Sequence, residues 1–63
     1  MVSYAKLRKI LSERGLTLTK LGKMADVSRA TTRCINKDIP MSLVSILLIC
    51  KALDCKIDDA IDY

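Results

Sequence analysis

The stretch that decides the fold is VSRATTRCINK, residues 27–37. It spends two Arg, a Lys, two Thr, a Ser and an Asn on central positions of a chain that is otherwise 51% hydrophobic. Its opening has the grammar of a helix start, with Val27 at the position of a hydrophobic staple, Ser28 as N-cap and Thr32 at the fourth helical position. Thr31 and Thr32 are β-branched, so propensity alone is poor and packing must hold this helix in place. Simple periodicity puts Val27, Thr31 and Cys34 on its inner face.

On the N-terminal side, LTLTKLGKMA (residues 16–25) predicts a short second helix. Thr17 is its N-cap and Leu16 its staple against Leu21. Gly22 inside it lowers helix propensity by about 1 kcal/mol relative to Ala, which points to a close approach by another helix. Asp26 and Val27 form the break. Earlier still, Tyr4, Leu7, Ile10 and Leu11 have helical spacing over residues 4–14, and Gly15 ends that first helix as a C-terminal glycine does.

On the C-terminal side, KDIP (residues 37–40) is a break, because Pro40 excludes helix at Ile39. Ser42 caps a long fourth helix, LVSILLICKAL, residues 43–53. Leu43, Ile46, Leu47, Cys50 and Leu53 are expected to form its core stripe. Val44 and Leu48 lie i, i+4 on another side, an apolar excess that asks for a partner. The tail IDDAIDY, residues 57–63, predicts a last short helix on Ile57, Ala60 and Ile61, with Asp58 and Asp59 in its first turn where the macrodipole favours acids. Five helices leave no room for a sheet or a linker, so the 63 residues form one all-α domain.

Composition narrows the function. Residues 1–37 hold nine Lys/Arg against two acids, a net +7, whereas residues 38–63 hold two against five, a net −3. A polyanion is expected to dock on the basic half. No run approaches the ~20 apolar residues of a membrane span and the start has no apolar signal region, so a cytoplasmic location is expected. Cys34, Cys50 and Cys55 read as reduced thiols, with Cys50 as plain core. With no His and no C-x-x-C, structural zinc is not expected, nor is any cofactor. An enzyme is disfavoured as well, since there is one Glu and no nucleophile–base pair to name.

Two short helices joined by a tight turn, the second basic and poorly hydrophobic, are the pattern of a helix-turn-helix. LGKMADVSRATTRCINKDIPMSLVSILLICKALD, residues 21–54, resembles the Xre family of bacterial and phage regulators, the Cro/CI type. The likeness rests on Leu21, Val27, Ser28, Thr31 and Ile35, then Ser42, Leu43, Ile46, Ile49, Ala52 and Leu53. Gly22 stands in place of the usual Ala, Asp26 and Asp38 in place of turn and loop Gly, Thr32 in place of a buried Leu or Ile, and Leu18 in place of a frequent Gln.

The resemblance implies a lambda-repressor-like five-helix domain and a sequence-specific DNA-binding regulator, a repressor acting as a homodimer on a palindromic site. Carried over position by position, it turns Arg29, Ala30, Arg33 and Cys34 to base edges and Thr32 and Ile35 inward. It makes Thr17, Thr19, Lys23, Ser28 and Lys37 candidates for phosphate contact. Thr32 is then expected to be buried with its hydroxyl bonded back to a carbonyl of the preceding turn. Val44 and Leu48, with Ile39, Met41, Ile61 or Tyr63, are the expected self-association surface. A second reading is a protein-interaction module, such as an antitoxin or adaptor using the same helices.

Overall fold

The structure, a computed structural model, describes residues 1–62; Tyr63, a candidate for self-association, lies outside the described residues. Its five helices are α1 (Ala5–Glu13), α2 (Leu18–Ala25), α3 (Arg29–Lys37), α4 (Leu43–Leu53) and α5 (Ile57–Ala60). The fold is all-α, as the spacing predicts. Beyond the helices, an antiparallel bridge joins Ser3 to Asp62, each N–H donating to the other's carbonyl at 2.8 and 3.0 Å.

Helix ends follow side-chain chemistry. Thr17, Ser28 and Ser42 have extended backbone, and their hydroxyl oxygens accept from the N–H groups of Lys20, Thr31 and Ser45 at 3.1, 3.2 and 3.2 Å. Each satisfies one of the donors that a helix start leaves unpaired. α1 closes on Gly15 at φ +65°, with Gly15 N–H donating to Ser12 O and Leu16 N–H to Leu11 O. At the closures of α2, α3 and α4 the left-handed residue is an aspartate: Asp26, Asp38 and Asp54, at φ 57°, 53° and 53°.

Asp38 has a structural role that a glycine lacks. Its Oδ1 accepts from Tyr4 N–H at 2.8 Å and from Arg8 Nη1 at 2.9 Å. The Tyr4 amide first, then Arg8, holds its carboxyl below the usual carboxylate range. Because the folded pKa is depressed, the stabilisation is present at neutral pH and lost as pH falls through and below about 3.8. Asp38→Asn is therefore expected to melt below wild type at pH 6, with the gap closing towards pH 3. Thermal melts across that range check this, and a gap that does not vary with pH would sink it.

The core is aliphatic around one aromatic: Tyr4, Leu7, Leu21, Ile35, Ile49 and Leu53 are all within 2% of complete burial. Each large aliphatic side chain there contributes on the order of 1.5–3 kcal/mol. Tyr4 joins elements rather than merely filling space, since its hydroxyl donates to Ile39 O at 2.8 Å in the loop after α3. Burial pushes the phenol up from its ordinary value, so it remains a donor at neutral pH.

The structure corrects two expectations. α4 buries Cys50 and Leu53 as expected but not Leu43 and Leu47, which are 62% and 48% exposed; Ile49 faces inward in their place. The helix is apolar on nearly every side, so periodicity does not select its inner face. Ile61, expected on the self-association surface, is buried. It follows α5 in extended conformation and packs into the core beside the Ser3–Asp62 bridge.

α1 also takes up part of the basic charge. Arg8 Nη1 donates to Ile35 O at 2.6 Å near the end of α3, and Arg14 Nη1 donates to Leu53 O at 2.6 Å at the end of α4. Lys6 Nζ reaches Asp58 O and Asp62 Oδ1, both at 3.0 Å. These cations bind carbonyls at helix C-termini and the acidic tail, where the macrodipole favours positive charge.

Candidate nucleic-acid interface

α2 and α3 pack on each other across the turn Asp26–Val27–Ser28, and α2 rests on α4. The close approach implied by Gly22 is present. A β-carbon added there would meet Val27 O at 3.4 Å and Thr32 Cγ2 at 3.5 Å. Gly22 and Thr32, both smaller than the residues the Xre pattern carries, face each other at this contact. Thr32 is 5% exposed and its Oγ1 donates to Arg29 O at 3.0 Å, so its hydroxyl is satisfied within α3. With Thr32 and Ile35 inward, the register of α3 is the one the resemblance implies.

That register leaves Arg29, Ala30, Arg33 and Lys37 exposed along the outer side of α3. Cys34 is half-buried rather than fully outward, and its Sγ donates to Ala30 O at 3.4 Å. On α2 and its cap, Thr17, Thr19 and Lys23 are exposed. Thr19, Lys23 and Arg29 line one cleft between the two helices, and Arg33 lines an adjoining one with Thr19 and Arg29. The structure thus brings Thr19, Lys23, Arg29 and Arg33 together. Ser28 is exposed at the start of α3, where its oxygen serves as the cap. Lys37 sits at the far end of α3, by a hollow it shares with Asp38 and Pro40.

Two residues of this face are not among the expected contacts. Lys20 is exposed on α2 one turn before Lys23. With Lys6, Arg8 and Arg14 engaged, the cations left without an ion-pair partner among the described residues are Lys9, Lys20, Lys23, Arg29, Arg33, Lys37, Lys51 and Lys56. Five of these eight lie on α2 and α3. Asp26 is the second residue: it lines the same cleft as Lys23 and Arg29 and puts a negative charge where a polyanion would approach. It is also a non-glycine residue in the left-handed region at a helix C-terminus, both unfavourable.

Asp26→Gly is therefore expected to stabilise the fold by about 0.5–1 kcal/mol, raising Tm by roughly 2–8 °C. It should also tighten binding to any duplex. An unchanged or lower Tm in calorimetry would refute the strain argument.

Among the described residues no group of three or more His, Cys, Asp or Glu is arranged to hold a metal, and no helix is long and apolar enough to cross a membrane.

A helix-turn-helix whose second helix turns two arginines and an alanine to solvent, flanked by cations on the first, is a DNA-binding unit in architecture and charge. The sequence matches the profile described as the Cro/C1-type HTH DNA-binding domain over residues 6–63, and the chain belongs to that family. Among solved structures, the crystal structure of the transcriptional regulator VanUg, form II, is similar to this chain. It is 36% identical with a TM-score of 0.89, over 97% of this chain and 81% of that one. No curated protein matches the sequence.

Proposed function

We propose that the protein is a sequence-specific transcriptional regulator that places α3 in the major groove and binds as a homodimer, repressing by occupying its site. The observation that carries the reading is the exposed row Arg29, Ala30 and Arg33 beside Thr19 and Lys23, in a chain of the Cro/C1 family. Arg29 and Arg33 can each chelate guanine O6 and N7, while Ala30 gives room for close approach or for a thymine methyl. Thr17, Thr19, Lys20, Lys23, Ser28 and Lys37 supply phosphate contacts that set position without specifying sequence. The similarity to the transcriptional regulator VanUg supports the same output.

The test is a selection of bound sequences from a random duplex pool, followed by affinity against salt. A palindromic consensus is expected, with log K falling steeply against log salt at a slope near −0.9 per neutralised phosphate. No binding at low salt would instead favour a protein-interaction module.

Self-association rests on α4. Leu43, Val44, Leu47 and Leu48 are 39–67% exposed, and Ile39 adds to them from the preceding loop. The residues from Leu43 to Cys50 carry no charge, so two copies can meet there without like-charge repulsion, unlike the cationic face of α2 and α3. The molecule is 26 Å in its longest dimension, so two copies in contact can reach half-sites about 34 Å apart. Leu48→Glu is expected to shift the protein to monomer in sedimentation and to weaken binding to a palindrome about tenfold or more. A wild type that sediments as monomer at micromolar concentration, with Leu48→Glu binding unchanged, would remove the dimer from the proposal.

A further inference from the structure

The geometry points to a dithiol–disulfide site formed by Cys50 and Cys55 at the junction of α4 and α5, open to exchange with a low-molecular-weight disulfide. α4 closes on Asp54 in the left-handed region, with Asp54 N–H donating to Lys51 O at 3.2 Å and Cys55 N–H donating to Cys50 O at 3.0 Å. In this closure the side chains at the first and last positions of the six-residue segment, here Cys50 and Cys55, frequently meet. Both thiols also line one cleft between the last turn of α4 and the start of α5. Burial first, and then the neighbouring Cys55, pushes the Cys50 thiol up to about 11.

The two sulfurs divide the chemistry by access. Cys55 is half-buried and the reagent reaches it first, whereas Cys50 is nearly covered and reacts only with a sulfur already beside it. Lys51, Lys56 and Asp58 line the cleft, and Asp59 acts on Cys50 from beside it, so the cleft carries charge of both signs. Cys55, after losing its proton to solvent, attacks one sulfur of RS–SR. The Cys55–SR bond forms, the RS–SR bond breaks, and RS⁻ leaves and takes up a proton. Cys50 then loses its proton and attacks the Cys55 sulfur, forming the intramolecular disulfide and expelling the second RS⁻. Two electrons pass from the protein dithiol to the reagent, which ends as two RSH. Cys34, on α3, has its Sγ bonded to Ala30 O and takes no part in this pair.

The protein's own trypsin sites make the test direct. Lys51 separates Cys50 from Cys55, and Arg33 and Lys37 isolate Cys34, so the three thiols fall in three peptides. The native protein is treated with glutathione disulfide, blocked with an alkylating reagent and digested without reductant. Before blocking, the expected intact protein is lighter by two hydrogens; after digestion its residues 38–51 and 52–56 travel as one species that reductant separates. Cys50→Ala should stop at a mixed disulfide on Cys55. A wild type that accumulates the mixed disulfide, remains unmodified at Cys55, or links either thiol to Cys34 overturns the proposal.

Discussion

Tyr4→Ala is expected to leave the chain largely unfolded at room temperature. The side chain is fully buried, and truncating a large buried aromatic costs about 3–5 kcal/mol. The lost hydroxyl also leaves Ile39 O without its donor, adding about 1 kcal/mol. A chain of 63 residues has on the order of 3–9 kcal/mol of stability in all, so the substitution consumes most or all of it. Tyr4→Phe separates the two contributions, because it removes only the hydroxyl and should cost about 1 kcal/mol. Circular dichroism against temperature and urea checks both. A cooperative melt of Tyr4→Ala within a few degrees of wild type would mean that α1 and the loop after α3 are not joined as the distances indicate.

The second large effect is on DNA. The double substitution Arg29→Ala with Arg33→Ala is expected to abolish discrimination between the selected site and random duplex. Each bidentate contact to guanine is worth about 1–3 kcal/mol, so together they account for a loss of roughly thirty-fold to twenty-thousand-fold in specific affinity. Both side chains are exposed and neither has an ion-pair partner among the described residues, so Tm should hardly change. Lys23→Ala should instead weaken binding to all sequences alike and flatten the salt dependence by about one ion per half-site. If the double variant keeps the specific-to-random ratio of wild type, α3 is not the reading element.

Most of the fold is legible in the sequence because its signals are local. Thr17, Ser28 and Ser42 each begin a helix through their own hydroxyl, and Gly15 ends one through its own freedom. The register of α3 is harder, since periodicity favours Cys34 as an inner residue and only the family pattern turns Thr32 inward. The structure buries Thr32 and leaves Cys34 between the two. What stays hidden depends on distant partners. Nothing near Arg8 or Arg14 in sequence shows that their guanidinium groups are held by the carbonyls of Ile35 and Leu53, while Arg29 and Arg33 remain free for a ligand. The inner face of α4 is hidden for the opposite reason, because Leu43, Val44, Leu47 and Leu48 are as apolar as the residues it buries. The burial of Ile61 depends on Ser3, almost a full chain length away.

The Ser3–Asp62 bridge has a consequence for how the molecule opens. α5 is a single turn, too short to persist alone, and the bridge, Lys6 and the packing of Ile61 hold it against α1. The two bridge bonds are reciprocal, so releasing one strand end releases both. Backbone amides at opposite ends of the chain should therefore exchange with solvent in one shared event, while α2 and α4 stay protected. That event loosens the segment carrying Tyr4, whose amide and hydroxyl hold Asp38 and Ile39 at the exit of α3. How firmly α3 is held is thus governed by fraying at the chain ends.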